Sequence, residues 1–416
     1  APLSYLVRVL YSNNLDLADF GLIYSILAFL AFISMFSDFG LSESLVYYIP
    51  KYKLKNDWDS IRNMVFYSLI FQLISTIIII SFLFLFSSYL AANYFKYSSS
   101  ELILKIFLFT YLGINLTASV KSLFVALQMN ISYQFVDFLK YFMIVLFSSL
   151  VIFFNLSENL LYIFSLIWAF VHISLVFYYF IYLNFKLPIL FDKFPNWNLS
   201  LFKKLFFYGF YLLIGNSIMV FLSQVDILMI TYFLTLGSVG LYSNALSIQN
   251  ILALIMTPIT LFLIPMVSEY TESKNFKSIL KILNLVYTFG LFIVLPFILV
   301  FILFSKELII ILFSEKFLDS NSVLILFLIF AIFHILFSYN ISILRGLGLI
   351  KKRIKIYFFV LFINVMLNLI LIPKYGIFGA GIATVISWFI LFIGSFYYIN
   401  LQVSFRLNYV SIFKIL

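Results

Sequence analysis

The sequence predicts an all-α polytopic membrane protein, and three observations carry that prediction. Of its 416 residues, 64% are hydrophobic and only 10% charged, whereas soluble domains run at about 45–50% and about 25%. The apolar runs are continuous and long, without the strict alternation of a membrane strand. About 20 such residues cross a bilayer core as a helix. The third observation is a stretch used twice. Residues 20–52 and 239–270 share one grammar: Gly21-Leu22 or Gly240-Leu241, a long apolar run, Pro50 or Pro265, and a charged exit. A diverged internal echo in such a chain points to two related halves.

Taken in order, the chain begins with a partial span near 1–11. Spans follow near 20–49, 62–91, 101–127, 132–155 and 160–185. A second set lies near 203–234, 238–268, 278–304, 321–345, 354–373 and 376–400. The first residues read as the end of a helix and 401–416 as a tail or the opening of a further span, so a chain trimmed at both ends is expected. The connections after spans 2, 6, 8 and 10 hold 16 Lys and Arg, and Arg406 and Lys414 after span 12 make 18. The odd-numbered connections hold five: Lys96, Lys105, Lys306, Lys316 and Lys374. Basic residues stay on the cytoplasmic side, so the even connections and the N-terminus are predicted there, in a multi-pass protein of the cell membrane. The net charge of +10 is mostly this bias and does not describe a nucleic-acid surface.

The connection 186–202, with Pro188 and Pro195, divides the chain into an N-terminal six-span lobe (1–185) and a C-terminal one (203–400). Two pseudo-symmetric six-helix lobes joined by a cytoplasmic linker are the layout of an alternating-access transporter. The sequence has no cysteine, no P-loop and no spaced His/Asp/Glu set for a metal, so no cofactor is expected. No connection exceeds about 20 residues, which argues against an enzyme acting on water-soluble substrates.

Four stretches carry a family resemblance: 17–52, QVDILMITYFLTLGSVGLYSNALSIQNIL (224–252), ILRGLGLIKKRIKIY (343–357) and NVMLNLILIPKYGIFGAGIATVIS (364–387). The chain resembles the polysaccharide-transporter branch of the multidrug/oligosaccharidyl-lipid/polysaccharide exporter superfamily, the O-antigen-type lipid-linked oligosaccharide flippases. The resemblance implies two lobes around a central cavity open alternately to either face. It also implies movement of a polyprenyl-diphosphate-linked oligosaccharide from the cytoplasmic to the outer leaflet. The expected partners are that lipid, membrane lipid, H+ or Na+ as coupling ion, and glycan-assembly enzymes.

A diphosphate crossing an apolar slab needs compensating cations. The candidates are Arg8, Lys121 and Arg345, with Lys140 as a further intramembrane cation that Asp137, one turn earlier, neutralises. Snorkelling to headgroups is the alternative for each. Asn364 and Asn368, four apart and so on one helix face, are candidates for sugar contact or for interhelical hydrogen bonds. Asp38, Glu43 and Asp226 are candidates for coupling or gating, since an intramembrane carboxylate costs about 2.5–3.5 kcal/mol on insertion scales; packing or interfacial polarity towards the cytoplasmic end of span 2 is the alternative for Asp38 and Glu43. Pro373 and Gly376 are expected to end one helix and reverse the chain, with Gly379, Ala380 and Gly381 allowing close packing. A cation-coupled drug or metabolite antiporter of the same superfamily is the nearest rival. A membrane glycan polymerase or ligase ranks lower, because the largest outer connection, 305–320, offers few charged residues.

Overall fold

The computed structural model describes residues 2–403 except 157, 158 and 197; most of the expected tail, with Arg406 and Lys414, lies outside the described residues. The described chain is helical and carries no strand. Its principal helices are α1 (Pro2–Asn14), α2 (Leu17–Asp38), α3 (Leu41–Lys53), α4 (Trp58–Leu85), α5 (Ser100–Ala126) and α6 (Asn130–Phe153). They continue with α7 (Leu160–Lys186), α8 (Leu199–Phe233), α9 (Leu236–Glu272), α10 (Phe276–Leu303), α11 (Asn321–Gly346) and α12 (Ile350–Val403). Short polar caps start several of them. Asp57, Asn159, Thr235 and Asn275 each accept a backbone N–H three residues on, at 3.0–3.3 Å.

Among the described residues nine helices are long and apolar enough to cross a membrane, against the twelve spans expected. α1, the expected partial span, has 13 residues; α12 joins the two spans expected near 354–373 and 376–400; and α8, 35 residues long, includes three side chains outside the described residues. The span expected as one piece over 20–49 is two helices. Phe39 (φ 47) and Gly40 (φ 73) both turn into the left-handed region, and Asp38 accepts from the Ser42 backbone N–H to start α3. A continuous apolar pattern does not reveal that break, because it changes direction rather than burial.

The chain divides into two compact units, 1–220 and 221–416. In unit 1, Tyr11 of α1 stacks on Phe164 of α7 with ring centres 4.3 Å apart. The connection after α7 is pinned to α4: Arg62 donates to the Ile189 carbonyl at 2.6 Å, Tyr67 to the Asn196 carbonyl at 2.7 Å. In unit 2, Tyr242 of α9, Phe327 of α11 and Trp388 of α12 form an aromatic core. α9 contains two prolines, Pro258 and Pro265. α12 folds back on itself at Gly376, whose φ 60 and ψ −139 are not helical. Beyond that glycine the second arm lies along the first. Ser387 meets Asn364, and Gly394 packs on Ile356.

Candidate functional site

Unit 2 gathers a carboxylate, two amides and three hydroxyls inside apolar helices. Asp226 on α8 is partly buried, while Tyr242, Asn364, Asn368, Thr384 and Ser387 around it are almost wholly so. Asn364 and Asn368 share a face of the first arm of α12, and Thr384 and Ser387 share a face of the second. The fold-back at Gly376 is what presents both faces together. Asn368 Nδ2 donates to Asp226 Oδ1 at 2.6 Å and to Asn364 Oδ1 at 2.9 Å; Asn364 Nδ2 donates to Ser387 Oγ at 3.1 Å. Thr384 Oγ1 and the Tyr242 hydroxyl donate to Asp226 Oδ2 at 2.7 and 3.0 Å.

Those two hydroxyls also lie 2.7 Å from each other, and Thr384 reaches the Ala380 carbonyl at 3.0 Å. The two hydroxyl protons have alternative acceptors: Tyr242 and Thr384 both donate to the carboxylate, or Tyr242 donates to Thr384 Oγ1 while Thr384 donates to Asp226 Oδ2. Asn368 Oδ1, also buried, has no hydrogen-bond partner among the described residues. Oxygen donors of this kind are the ligands that hard cations take. Among the described residues no three His, Asp or Glu side chains come together as a metal site.

Unit 1 has a different character. Lys121 of α5 and Lys140 of α6 both reach Asp137 Oδ1, at 2.5 and 3.2 Å, and all three side chains are less than a third exposed. The Arg8 guanidinium lies 4.1 Å from the centre of the Tyr24 ring, a cation–π contact that holds it inside the unit. Nearby in sequence, Asp38 Oδ1 accepts from Ser42 Oγ at 2.7 Å and Gln72 Nε2 at 3.4 Å. Gln72 Oε1 in turn accepts from Ser119 Oγ at 2.5 Å.

Of the residues singled out from sequence, Asp226, Asn364 and Asn368 come together. Arg8, Lys121 and Asp38 lie in unit 1 with the partners just given. Glu43 is exposed on α3, and Arg345 is exposed in the last turn of α11. Sequence reasoning missed Tyr242, Thr384 and Ser387; only the Gly/Ala-rich run after Gly376 hinted that small polar side chains there would sit close to α12's first arm. His172 and His334 are packing residues: each stacks on a tryptophan, Trp168 and Trp388, with ring centres 5.4 and 4.8 Å apart.

By fold the protein is a polytopic helical membrane protein of the type found in known transporters. It is similar to an inward-facing multidrug resistance MATE family transporter of the MOP superfamily, with a TM-score of 0.80 at 13% identity over 97% of this chain and 94% of the other. It is also similar to the lipid II flippase MurJ in an inward closed conformation, with a TM-score of 0.74 at 17% identity over 100% and 87% of the two chains. In sequence, residues 1–271 match the polysaccharide biosynthesis protein family, and the chain belongs to that family. An uncharacterized membrane protein of Methanocaldococcus jannaschii is 30% identical over 96% of this chain and 81% of its own length. A probable low-salt glycan biosynthesis flippase of Haloferax volcanii, Agl15, is 27% identical over 50% of this chain and 44% of its own.

Proposed function

We propose that this protein is a flippase of the cell membrane. It carries a polyprenyl-diphosphate-linked oligosaccharide from the cytoplasmic to the outer leaflet by alternating access, with its N-terminus in the cytoplasm. The observation that carries the reading is the set of cations among the helices of unit 1: Arg8, Lys121 and Lys140, with Asp137 and Asp38 as the carboxylates there. A diphosphate keeps its charge in the membrane, and cations on α1, α5 and α6 supply the compensation that an apolar wall cannot. The family and the Haloferax relative support a glycan-bearing lipid as the cargo. In this reading Asn364 and Asn368 serve Asp226 more than the sugar, since their amides are spent on the carboxylate and on each other.

The driving ion, H+ or Na+, is assigned to the Asp226 cluster. It is carried there as cargo, with the Asp226 carboxylate and the buried Asn368 Oδ1 as its oxygen donors. The test is a leaflet-resolved assay in proteoliposomes with a lipid-linked oligosaccharide, run with and without an H+ or Na+ gradient. Gradient-dependent movement of the headgroup is expected. No movement with any lipid-linked glycan sinks the proposal, and drug efflux without glycan movement assigns the antiporter instead.

A further inference from the structure

A separate group of cations lies where α3 ends and α8 begins, outside the residues assigned above. Helical spacing builds it: Tyr47 and Lys51, Tyr48 and Tyr52, and Lys204 and Tyr208 are each four residues apart, so each pair shares a helix face. Tyr47 stacks on Tyr208 with ring centres 4.4 Å apart, and Tyr48 meets Tyr208 edge-on at 5.3 Å. The Lys51 ammonium sits 3.4 Å from the centre of the Tyr47 ring and 5.8 Å from that of Tyr48. The Lys204 ammonium sits 5.0 Å from the centre of Tyr48 and 3.5 Å from the Tyr52 hydroxyl. Two ammonium groups are thus held within 6 Å of one ring, that of Tyr48.

No carboxylate among the described residues is paired with them. Asp57 is taken by Ser60 and Asp59 by Arg62. Glu43 lies two turns before Lys51, about 12 Å along the helix axis, on the Tyr208 side of the group, and forms no ion pair with either lysine. Lys53, Lys55 and Lys203 add to the excess, and all five lysines are exposed. Like charges fixed around one ring repel, and a single anion bridging them reverses the sign of that energy. The surroundings say which kind of anion. Leu54 and Phe207, each three residues after one of the two lysines, are 87% and 69% exposed. Such a mixture of bare ammonium, tyrosine and bare apolar side chain matches the boundary between headgroups and acyl chains.

We propose that Lys51 and Lys204, mounted on the Tyr47, Tyr48 and Tyr208 rings, bind the phosphate of an anionic bilayer lipid whose chains lie against Leu54 and Phe207. The purified protein in detergent is titrated with phosphatidylglycerol or with phosphatidylcholine of the same chains, and bound lipid is counted by native mass spectrometry. Phosphatidylglycerol is expected to bind preferentially. Lys51→Gln and Lys204→Gln each lower that binding about fivefold, the double variant abolishes the preference, and the double arginine variant keeps it. Equal binding of both lipids overturns the proposal, as does a preference untouched by the double glutamine change. Inorganic phosphate in large excess is the second probe: displacement of the lipid by free phosphate overturns the lipid assignment, and persistence supports it. The single variants, checked for unchanged melting, keep the test open should the double variant misfold. No transport is measured, so the result stands apart from the flippase reading.

Discussion

Gly40 and Gly209 touch backbone to backbone: a methyl group built on Gly40 would lie 2.1 Å from the Gly209 carbonyl oxygen. α8 therefore docks on the break between α2 and α3, where Ser44 Oγ also donates to the Leu205 carbonyl at 3.0 Å. Gly209→Ala should cost about 1–3 kcal/mol through overpacking. Gly40→Ala should cost about 1–2 kcal/mol more, because its φ of 73 penalises any Cβ. Denaturation in mixed micelles measures both. Gly348→Ala is the control, having the same φ but nothing within 4 Å; a loss there equal to that at Gly40 would remove the steric explanation.

Asp226→Asn separates coupling from folding. The asparagine keeps the shape of the cluster and removes a charge that costs about 2.5–3.5 kcal/mol in apolar surroundings, so stability is expected to hold or rise. On the proposed flippase reading, gradient-dependent flipping should fall at least tenfold, the equivalent of losing one charge-assisted contact of about 1.4 kcal/mol or more. Flipping that responds to the gradient as in the wild type would detach Asp226 from the coupling ion.

Asp137 balances two lysines at once. Asp137→Asn leaves both ammonium groups inside the unit and should cost about 1–3 kcal/mol, below the 3–5 kcal/mol of a fully buried pair because all three side chains are partly exposed. Adding Lys121→Gln should restore much of that loss. A double-mutant cycle checks the coupling, and strict additivity of the two changes would show that the pair at 2.5 Å contributes nothing in solution.

Gly376 has open space around it, so its cost on substitution is conformational alone. Gly376→Ala should lose about 1–3 kcal/mol. Gly379→Ala should be worse, because a Cβ there would lie 2.2 Å from the Leu371 carbonyl oxygen across the fold-back. Comparing the two melting shifts tests whether the hairpin is set by backbone geometry or by packing.

The class of protein was legible from composition and run length, since bilayer thickness leaves few ways to satisfy a backbone. The shared face of Asn364 and Asn368 was legible too, because helical spacing is local. Tyr242 and Thr384 were not: they reach Asp226 from other helices, and nothing local marks one buried tyrosine or threonine among many. Asp137 was read as the partner of Lys140, its neighbour one turn on. Its shorter contact to Lys121 crosses the turn between α5 and α6, where Gln128 takes a φ of 63. The break at Phe39–Gly40 had one missed signal, the aspartate four positions before Ser42.

Pro258 and Pro265 stand seven residues apart in α9, which is close to two full turns, so both face the same way. Each deletes one rung of the hydrogen-bond ladder, leaving a carbonyl one turn earlier without its donor. The rod is scored twice along one stripe, like a ruler notched on a single edge. Bending of α9 is therefore easiest at these two points, and both favour the same direction.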